Sequence, residues 1–239
     1  MATASEEIPL SDIMLTVKAK QTLIVPKQQR VFVVGDIHGN LASLKSDLRR
    51  AAFEPDSDVL ISLGDIINRG PDSFDTVQYL RSIGALMVLG NHEQMLIESV
   101  LQNDTQMRKI WLAAGGKWRK KVAKKQLTEM AQWFLTHPLS IVLHYRDKKI
   151  GLSHTRPKQW DWSADYQTNA DVIDALLWDK SLVATKNCKG NQGVDLSIHG
   201  HSKVEHPLWI GSSYHIDTSY FRGPTLIELR KVLKKLKRA

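Results

Sequence analysis

Val31-Phe32-Val33-Val34-Gly35-Asp36-Ile37-His38-Gly39 is a β-branched apolar run that breaks into a glycine-bracketed pair of metal-capable side chains. Val31 to Val34 predict a buried strand, and Gly35 and Gly39 permit the sharp turn that brings backbone close to a ligand. Asp36 and His38 then fall at the strand's carboxyl end, where open α/β sheets collect their chemistry. Taken alone, a carboxylate and an imidazole there could equally cap a helix or satisfy a loop. Two further runs end the same way. Asp58-Val-Leu-Ile-Ser-Leu63 leads into Gly64-Asp65-Ile-Ile-Asn68-Arg69-Gly70, and Ala85-Leu-Met-Val-Leu89 leads into Gly90-Asn91-His92-Glu93. Three strand-like runs with this ending predict one shared metal site.

The intervening segments carry helical spacing. Asn40 is placed to cap a helix through Leu41, Leu44, Leu48 and Ala51, and Pro71 suits the first turn of another through Phe74, Val77 and Leu80, stopped by Gly84. The resulting βαβαβ unit has a parallel sheet, and right-handed crossovers bring all three loops to one edge. More helix is expected after Glu93 and over residues 107–136, broken near Gly115-Gly116, with Trp111, Trp118, Trp133 and Phe134 as core anchors. Residues 140–144 and 149–154 then read as an antiparallel pair. A helix near residues 171–178 precedes late strands near 195–199, 214–217 and 225–229. Helices covering two sheets give an α/β sandwich.

The 239 residues suffice for one substantial core, and a 42% hydrophobic content is ordinary for a soluble globular chain. One domain is expected over residues 31–229, preceded by an extension over 1–30 and followed by a basic tail over 230–239. No apolar stretch could span a bilayer, and Glu6, Glu7 and Asp12 stand where a signal peptide would be positive, so the cytoplasm is the expected location and no membrane partner is expected. Cys188 is the single cysteine, which excludes an internal disulfide or a cysteine-based metal cluster; it reads as a bland loop thiol. The formal net charge of +8 is concentrated in two runs, over residues 117–125 and 230–238. Either could attract nucleic acid or another polyanion. Neither has the aromatic interleaving of a nucleic-acid module, so the expectation is a solvated helix face and a frayed tail.

Gly35-Asp-Ile-His-Gly39, Gly64-Asp-Ile-Ile-Asn-Arg-Gly70 and Gly90-Asn-His-Glu93, at these intervals, resemble the three signatures of the phosphoprotein phosphatase superfamily of calcineurin-like metallophosphoesterases. Nearest in pattern are the small bacterial and phage serine/threonine phosphatases and the symmetrical dinucleoside tetraphosphatases. The resemblance implies a central β-sandwich flanked by helices and two divalent metal ions, with manganese the first expectation and iron, zinc or cobalt compatible with the same donors. It assigns Asp36, His38 and Asp65 to one ion, and Asp65, Asn91, His154 and His201 to the other. His199, two residues before His201, then reads as packing or as support behind the ligands, and His137, His144, His206 and His215 as ordinary histidines.

The resemblance also implies in-line attack on phosphorus by water that the metals activate. Arg69, Asn91 and Arg156 would bind the phosphoryl group, and His92, supported by residue 68, would donate a proton to the leaving oxygen. At two points the chain departs from the protein phosphatases: Asn68 stands where they carry Asp, and Leu89 where they carry Arg. Asn orients the His92 ring without supplying charge, which weakens the acid; an alkoxide needs that proton more than a departing phosphate does. Both departures are similar to the dinucleoside tetraphosphatases, whereas Trp111-Leu-Ala-Ala-Gly-Gly116 and the stretch after Asn91 are closer to the small protein phosphatases. The first expectation is therefore a serine/threonine-type phosphatase acting on phosphoproteins. The alternative is a phosphoanhydride hydrolase acting on nucleotides such as dinucleoside tetraphosphates, and a third reading is a metal- and phosphate-binding protein without turnover.

Overall fold

The computed structural model describes residues 12–157, 160–186 and 190–236. The first eleven residues, Cys188, and Lys237 and Arg238 of the basic run lie outside them. The strands are β1 (Gln21–Ile24), β2 (Val31–Val34), β3 (Val59–Ser62), β4 (Leu86–Met87), β5 (Ser140–Tyr145), β6 (Lys148–Ser153), β7 (Leu196–His199), β8 (Leu208–Ile210), β9 (Ser213–His215) and β10 (Leu226–Glu228). The α-helices are α1 (Leu41–Arg50), α2 (Ser73–Ser82), α3 (Asn91–Leu101), α4 (Thr105–Ala113), α5 (Lys124–Phe134), α6 (Ala170–Leu177), α7 (Ser181–Thr185) and α8 (Leu229–Leu236), with 3-10 turns at Asp12–Thr16 and Gly116–Lys121.

Two sheets stack. One has the order β10-β2-β3-β4 and the other β1-β5-β6-β7-β9-β8. Strands β2, β3 and β4 are parallel, as the βαβαβ pattern predicts, and β10 closes the first sheet antiparallel to β2. Strand alternation divides the core in two. Val31 and Val33 face the second sheet with Ile61, Leu63, Leu143, Ile150, Leu152, Leu196 and Ile198. Phe32 and Val34 face the helices with Leu44, Leu48, Val77 and Leu80. β2 is apolar on both faces because it is covered on both, which is why it reads as an unbroken hydrophobic run.

Several local expectations are refined. Residues ahead of Val31 join the fold: β1 pairs parallel with β5 at the sheet edge, and Met14 and Val17 are fully or nearly fully buried. At the other end, residues 229–236 form a helix rather than a frayed tail, because Val232 and Leu233 bury one face against the sandwich core. Asn40 occupies the position before α1 without a side-chain cap bond. The third motif does not precede its helix but begins it, so Asn91, His92 and Glu93 form the first turn of α3. No described helix is long and apolar enough to cross a membrane.

Candidate metal centre

The loops after β2 and β3 are tied together by backbone: Ile37 and His38 N–H both donate to Asp65 O, at 3.0 and 2.9 Å, and Gly39 N–H donates to Ile66 O at 2.8 Å. Glu93, fully buried, binds the second loop to the third. Its Oε2 accepts from the N–H groups of Asp65 (2.7 Å) and Gly90 (2.9 Å), and its Oε1 from that of Ile66 (3.0 Å). The sequence reading gave Glu93 no role, although a Glu in the third position of a helix after glycine is a capping signal. On the other sheet, Gly200 N–H donates to His154 O at 2.9 Å, which joins the ends of β6 and β7.

The site is conformationally strained. Of ten non-glycine residues with positive φ among those described, five are His38, Asp65, Asn68, Arg69 and His201, with φ between 49° and 72°. Such conformations cost free energy and persist where the surrounding structure enforces them, chiefly at functional sites. Gly64 shows the enforcement: at φ +89° it packs so closely that a Cβ would lie 2.5 Å from Gly90 N.

These loops bring Asp36, His38, Asp65, Asn91, His154 and His201 into one buried group, each 9% exposed or less. Ligand atoms of His38, Asp65 and His92 lie within 4.8 Å of one another, and so do those of Asp65, His154 and His201. Asp65 belongs to both sets and is central. Its carboxylate reaches His154 Nε2 at 3.3 Å and both His38 Nε2 and His92 Nε2 at 3.7 Å. Asp36 Oδ2 stands 3.7 Å from His38 Nε2, while its Oδ1 accepts from His201 N–H at 2.9 Å. His154 Nε2 contacts Asn91 Oδ1 at 3.2 Å and His201 Nδ1 at 3.1 Å.

The donor set fits divalent cations. His38 and His154 each present Nδ1 to a carbonyl, that of Ile67 at 3.0 Å and of Leu63 at 2.8 Å, which leaves the Nε2 lone pair aimed inward as metal-ligating histidines require. His201 Nε2 is buried without a hydrogen-bond partner among the described residues, and so is Asp217 Oδ2. The electrostatics point the same way. Burial works against a charge on His154, but Asp65 outweighs it and lifts the imidazole to about 10. Burial, with repulsion from Asp217 and Asp65, holds Asp36 well above the usual carboxylate range. A proton is held where a cation would otherwise supply the positive charge, so metal binding would release it.

Beside this group, Asn68 is fully buried. Its Oδ1 accepts from Trp111 Nε1 at 3.0 Å and from Trp118 Nε1 at 2.8 Å, and its Nδ2 lies 2.6 Å from His92 Nδ1. Two indole donors fix the amide orientation, since the flipped amide would set N–H against N–H twice. His92 Nδ1 is thus the acceptor and Nε2 carries the proton. Burial pushes His92 down to about 3, against the pull of Asp65, so the ring is neutral. The two tryptophans are core anchors as expected, and they also hold the amide, a role invisible in sequence.

Arg69 Nη1 donates to His38 Nε2 at 2.6 Å, and Nη2 stands 3.2 Å from His92 Nε2. The latter contact opposes the His92 proton, and an oxyanion between the two groups would accept from both. A cleft of about 400 Å³ opens here, lined by Asp65, Arg69, Asn91, Lys180, His201 and Lys203 among others. Lys203 Nζ also sits 4.3 Å above the ring of Tyr220, which is 69% exposed. Neither lysine was singled out from sequence, because nothing local marks them; they reach the cleft through the loops after α6 and β7.

Arg156 is not in this cleft. It is 3% exposed, with Nη1 donating to Pro157 O at 3.0 Å and Nε contacting Asn191 Oδ1 at 3.4 Å. Its charge lowers His199 and His215, after burial the next contributors being His215 and Arg156 for the former and Arg156 for the latter. Those histidines occupy the sheet face opposite Leu196, Ile198 and Tyr214, which turn toward the sandwich core. The guanidinium expected to bind phosphate is thus turned onto Pro157 O and Asn191 Oδ1 and does not line this cleft. His199, by contrast, does pack away from the metal group, as read from its place inside the strand.

Carboxylates and imidazoles gathered on loops at one edge of an α/β sandwich, around a guanidinium and a neutral imidazole donor, define a metal-dependent hydrolase. The chain belongs to the calcineurin-like phosphoesterase family, whose model matches residues 29–223. It is 33% identical over 200 residues to serine/threonine-protein phosphatase 2 of Salmonella typhimurium, covering 81% of this chain and 88% of that one. It is also 33% identical over 155 residues to a symmetrical bis(5'-nucleosyl)-tetraphosphatase of Ectopseudomonas mendocina, covering 64% of this chain and 54% of that relative. A solved candidate diadenosine tetraphosphatase superposes with a TM-score of 0.60 at 23% identity, covering 86% of this chain and 93% of that one, a likeness of fold. The protein is accordingly a metal-dependent phosphoesterase.

Proposed function

We propose that the protein is a serine/threonine-type phosphatase that hydrolyses phosphomonoesters on proteins in the cytoplasm, with two manganese ions. The observation that carries the hydrolytic part is the placement of Arg69 and His92 against the Asp65-centred donor group. Support for a phosphoprotein substrate comes from the correspondence along 88% of a relative named serine/threonine-protein phosphatase.

Asp36, His38 and Asp65 would hold one ion, and Asp65, Asn91, His154 and His201 the other. Divalent ions there supply charge neutralisation of the phosphoryl oxygens and acidify a water. The chain's own side chains do the rest. Lys180 and Lys203 at the rim attract the dianion and steer it inward. Arg69 leaves the two imidazoles for phosphoryl oxygens, with the fork geometry that suits bidentate recognition. His92 Nε2–H then faces the leaving oxygen, held by Asn68 in the tautomer that donates.

One observation favours the second reading, hydrolysis of a phosphoanhydride such as a dinucleoside tetraphosphate. Because Nδ2 of Asn68 meets His92 Nδ1, the acid is a neutral imidazole, a weak proton source for an alkoxide but adequate for a departing phosphate. The manganese-loaded protein should be offered a phosphoserine peptide and diadenosine tetraphosphate in parallel. A higher kcat/KM for the peptide supports the first reading, and a higher value for the dinucleotide replaces it with the second.

A further inference from the structure

Behind the His92 support lies a second cleft, formed where the end of α3, α4, the Gly116–Lys121 turn and the start of α5 meet. It has a volume of about 400 Å³, and its walls include Ser99, Arg108, Trp111, Arg119, Lys120 and Lys124, with no carboxylate among them. Arg119, Lys120 and Lys124 of the basic run over residues 117–125 line it. A solvated basic face, the reading that sequence suggests, would leave its polar atoms to water. Two atoms here are instead buried and without a partner among the described residues: Ser99 Oγ, on a residue 1% exposed, and Arg119 Nε. Arg108 Nη2 donates to Ser99 O at 2.8 Å, so the guanidinium is fixed beside the orphaned hydroxyl.

None of the four cations has an ion-pair partner among the described residues, although Lys125 next door pairs with Glu129. Gathering unpaired like charges around buried donors costs free energy unless an anion offsets it. Orphaned buried polar atoms call for a missing partner of complementary type. A hydroxyl, a guanidinium N–H and surrounding ammonium groups all complement an oxyanion with several acceptor oxygens. The cleft volume lies in the range of small-molecule sites rather than of a single water.

We infer that this cleft is a binding site for a small free phosphate-class anion, distinct from the metal centre and held by Ser99 Oγ, Arg119 Nε and the charges of Arg108, Lys120 and Lys124. Trp111 separates the two sites. One edge of its indole walls the cleft while Nε1 holds Asn68.

The test measures binding of radiolabelled orthophosphate by equilibrium dialysis. The full-length, manganese-loaded protein should bind at two sites per chain. The Asp65→Ala protein, in which the metal centre is disrupted, should keep one. Within that background, Arg119→Gln should weaken the remaining site about tenfold or more, the loss expected for hydrogen bonds to a charged partner. Should Arg119→Gln misfold, Lys120→Gln with Lys124→Gln, both at exposed positions, should weaken it in the same direction while the fold is retained. Sodium chloride at matched ionic strength should not compete with orthophosphate. No binding to Asp65→Ala, equal binding after the cleft substitutions, or equal displacement by chloride (an adventitious ion only) would each overturn the assignment. None of these results depends on whether the substrate is a phosphoprotein or a nucleotide.

Discussion

Replacing Asn68 with Asp should convert His92 into a stronger acid and speed the hydrolysis of phosphomonoesters with poor leaving groups. Both indoles donate to Oδ1, at 3.0 and 2.8 Å, so the new carboxylate would keep that oxygen in place and set its second oxygen against His92 Nδ1, where Nδ2 now stands at 2.6 Å. The carboxylate favours a proton on Nδ1, so the imidazolium that can donate from Nε2 is populated in a larger share of molecules than in the native chain. Three donors offset much of the cost of burying the new charge. An opposite charge at this range raises a pKa by about 1–3 units, equivalent to about 1.4–4 kcal/mol. If even the lower end is realised in the transition state, the rate rises about tenfold. The assay is kcat for phenyl phosphate, p-nitrophenyl phosphate and diadenosine tetraphosphate with metal content matched. Phenyl phosphate, which leaves worst, should gain most, and the dinucleotide should change little. An equal effect on all three, or none with the metals intact, would refute the charge argument.

Asp65→Ala should abolish metal binding and activity together, because this carboxylate reaches three imidazoles; full metal content by elemental analysis would contradict it. Gly90→Ala should destabilise the protein by about 1–3 kcal/mol, since a Cβ would overlap Asp65 Oδ1 and N and press on Glu93 Oε2 at 2.8 Å, and an unchanged denaturation midpoint would show that the loops yield. Lys203→Ala with Lys180→Ala should raise KM for phosphomonoesters several-fold (about 1 kcal/mol) with kcat little altered, whereas a fall in kcat alone would place these lysines in the chemistry. Burial holds His137 and His215 down at about 4, against an ordinary 6.5. The unfolded chain therefore binds more protons between those values, and stability is full above the upper value and lost as pH falls toward the lower. Thermal melts across that window should show the decline, and His215→Gln should lessen it; a flat Tm for the native chain would exclude the effect.

The candidate donors of the first three loops were legible because each loop repeats one local pattern, apolar run, glycine, then a polar side chain, whereas His154 and His201 were reached only through the family resemblance. The parallel sheet and the order of the helices were legible because hydrophobic periodicity is local as well. Strand β8 escaped because Leu208-Trp-Ile210 is too short to show a period. The short strand β1 escaped because its exposure pattern is mixed and its partner β5 is remote in sequence. Glu93 was visible as a helix-start residue, but its three backbone partners come from two different loops.

Arg156 marks the boundary between what sequence can say and what it cannot. A charged residue two positions after a candidate ligand suggests a phosphate clamp, yet its guanidinium packs against Pro157 O and Asn191 Oδ1, and Lys180 and Lys203 line the cleft. Asn68 is the complementary case. Sequence identified the missing charge beside His92, but the amide orientation depends on indoles 43 and 50 residues away. The sequence by itself determined which side chains could ligate metal and which strands would carry them, because strand ends and turns are set by neighbouring residues. The tertiary structure decided the protonated nitrogen of His92, the packing of Arg156 against Pro157 and Asn191, and the basic cleft behind Trp111, because each depends on groups that only packing brings into contact.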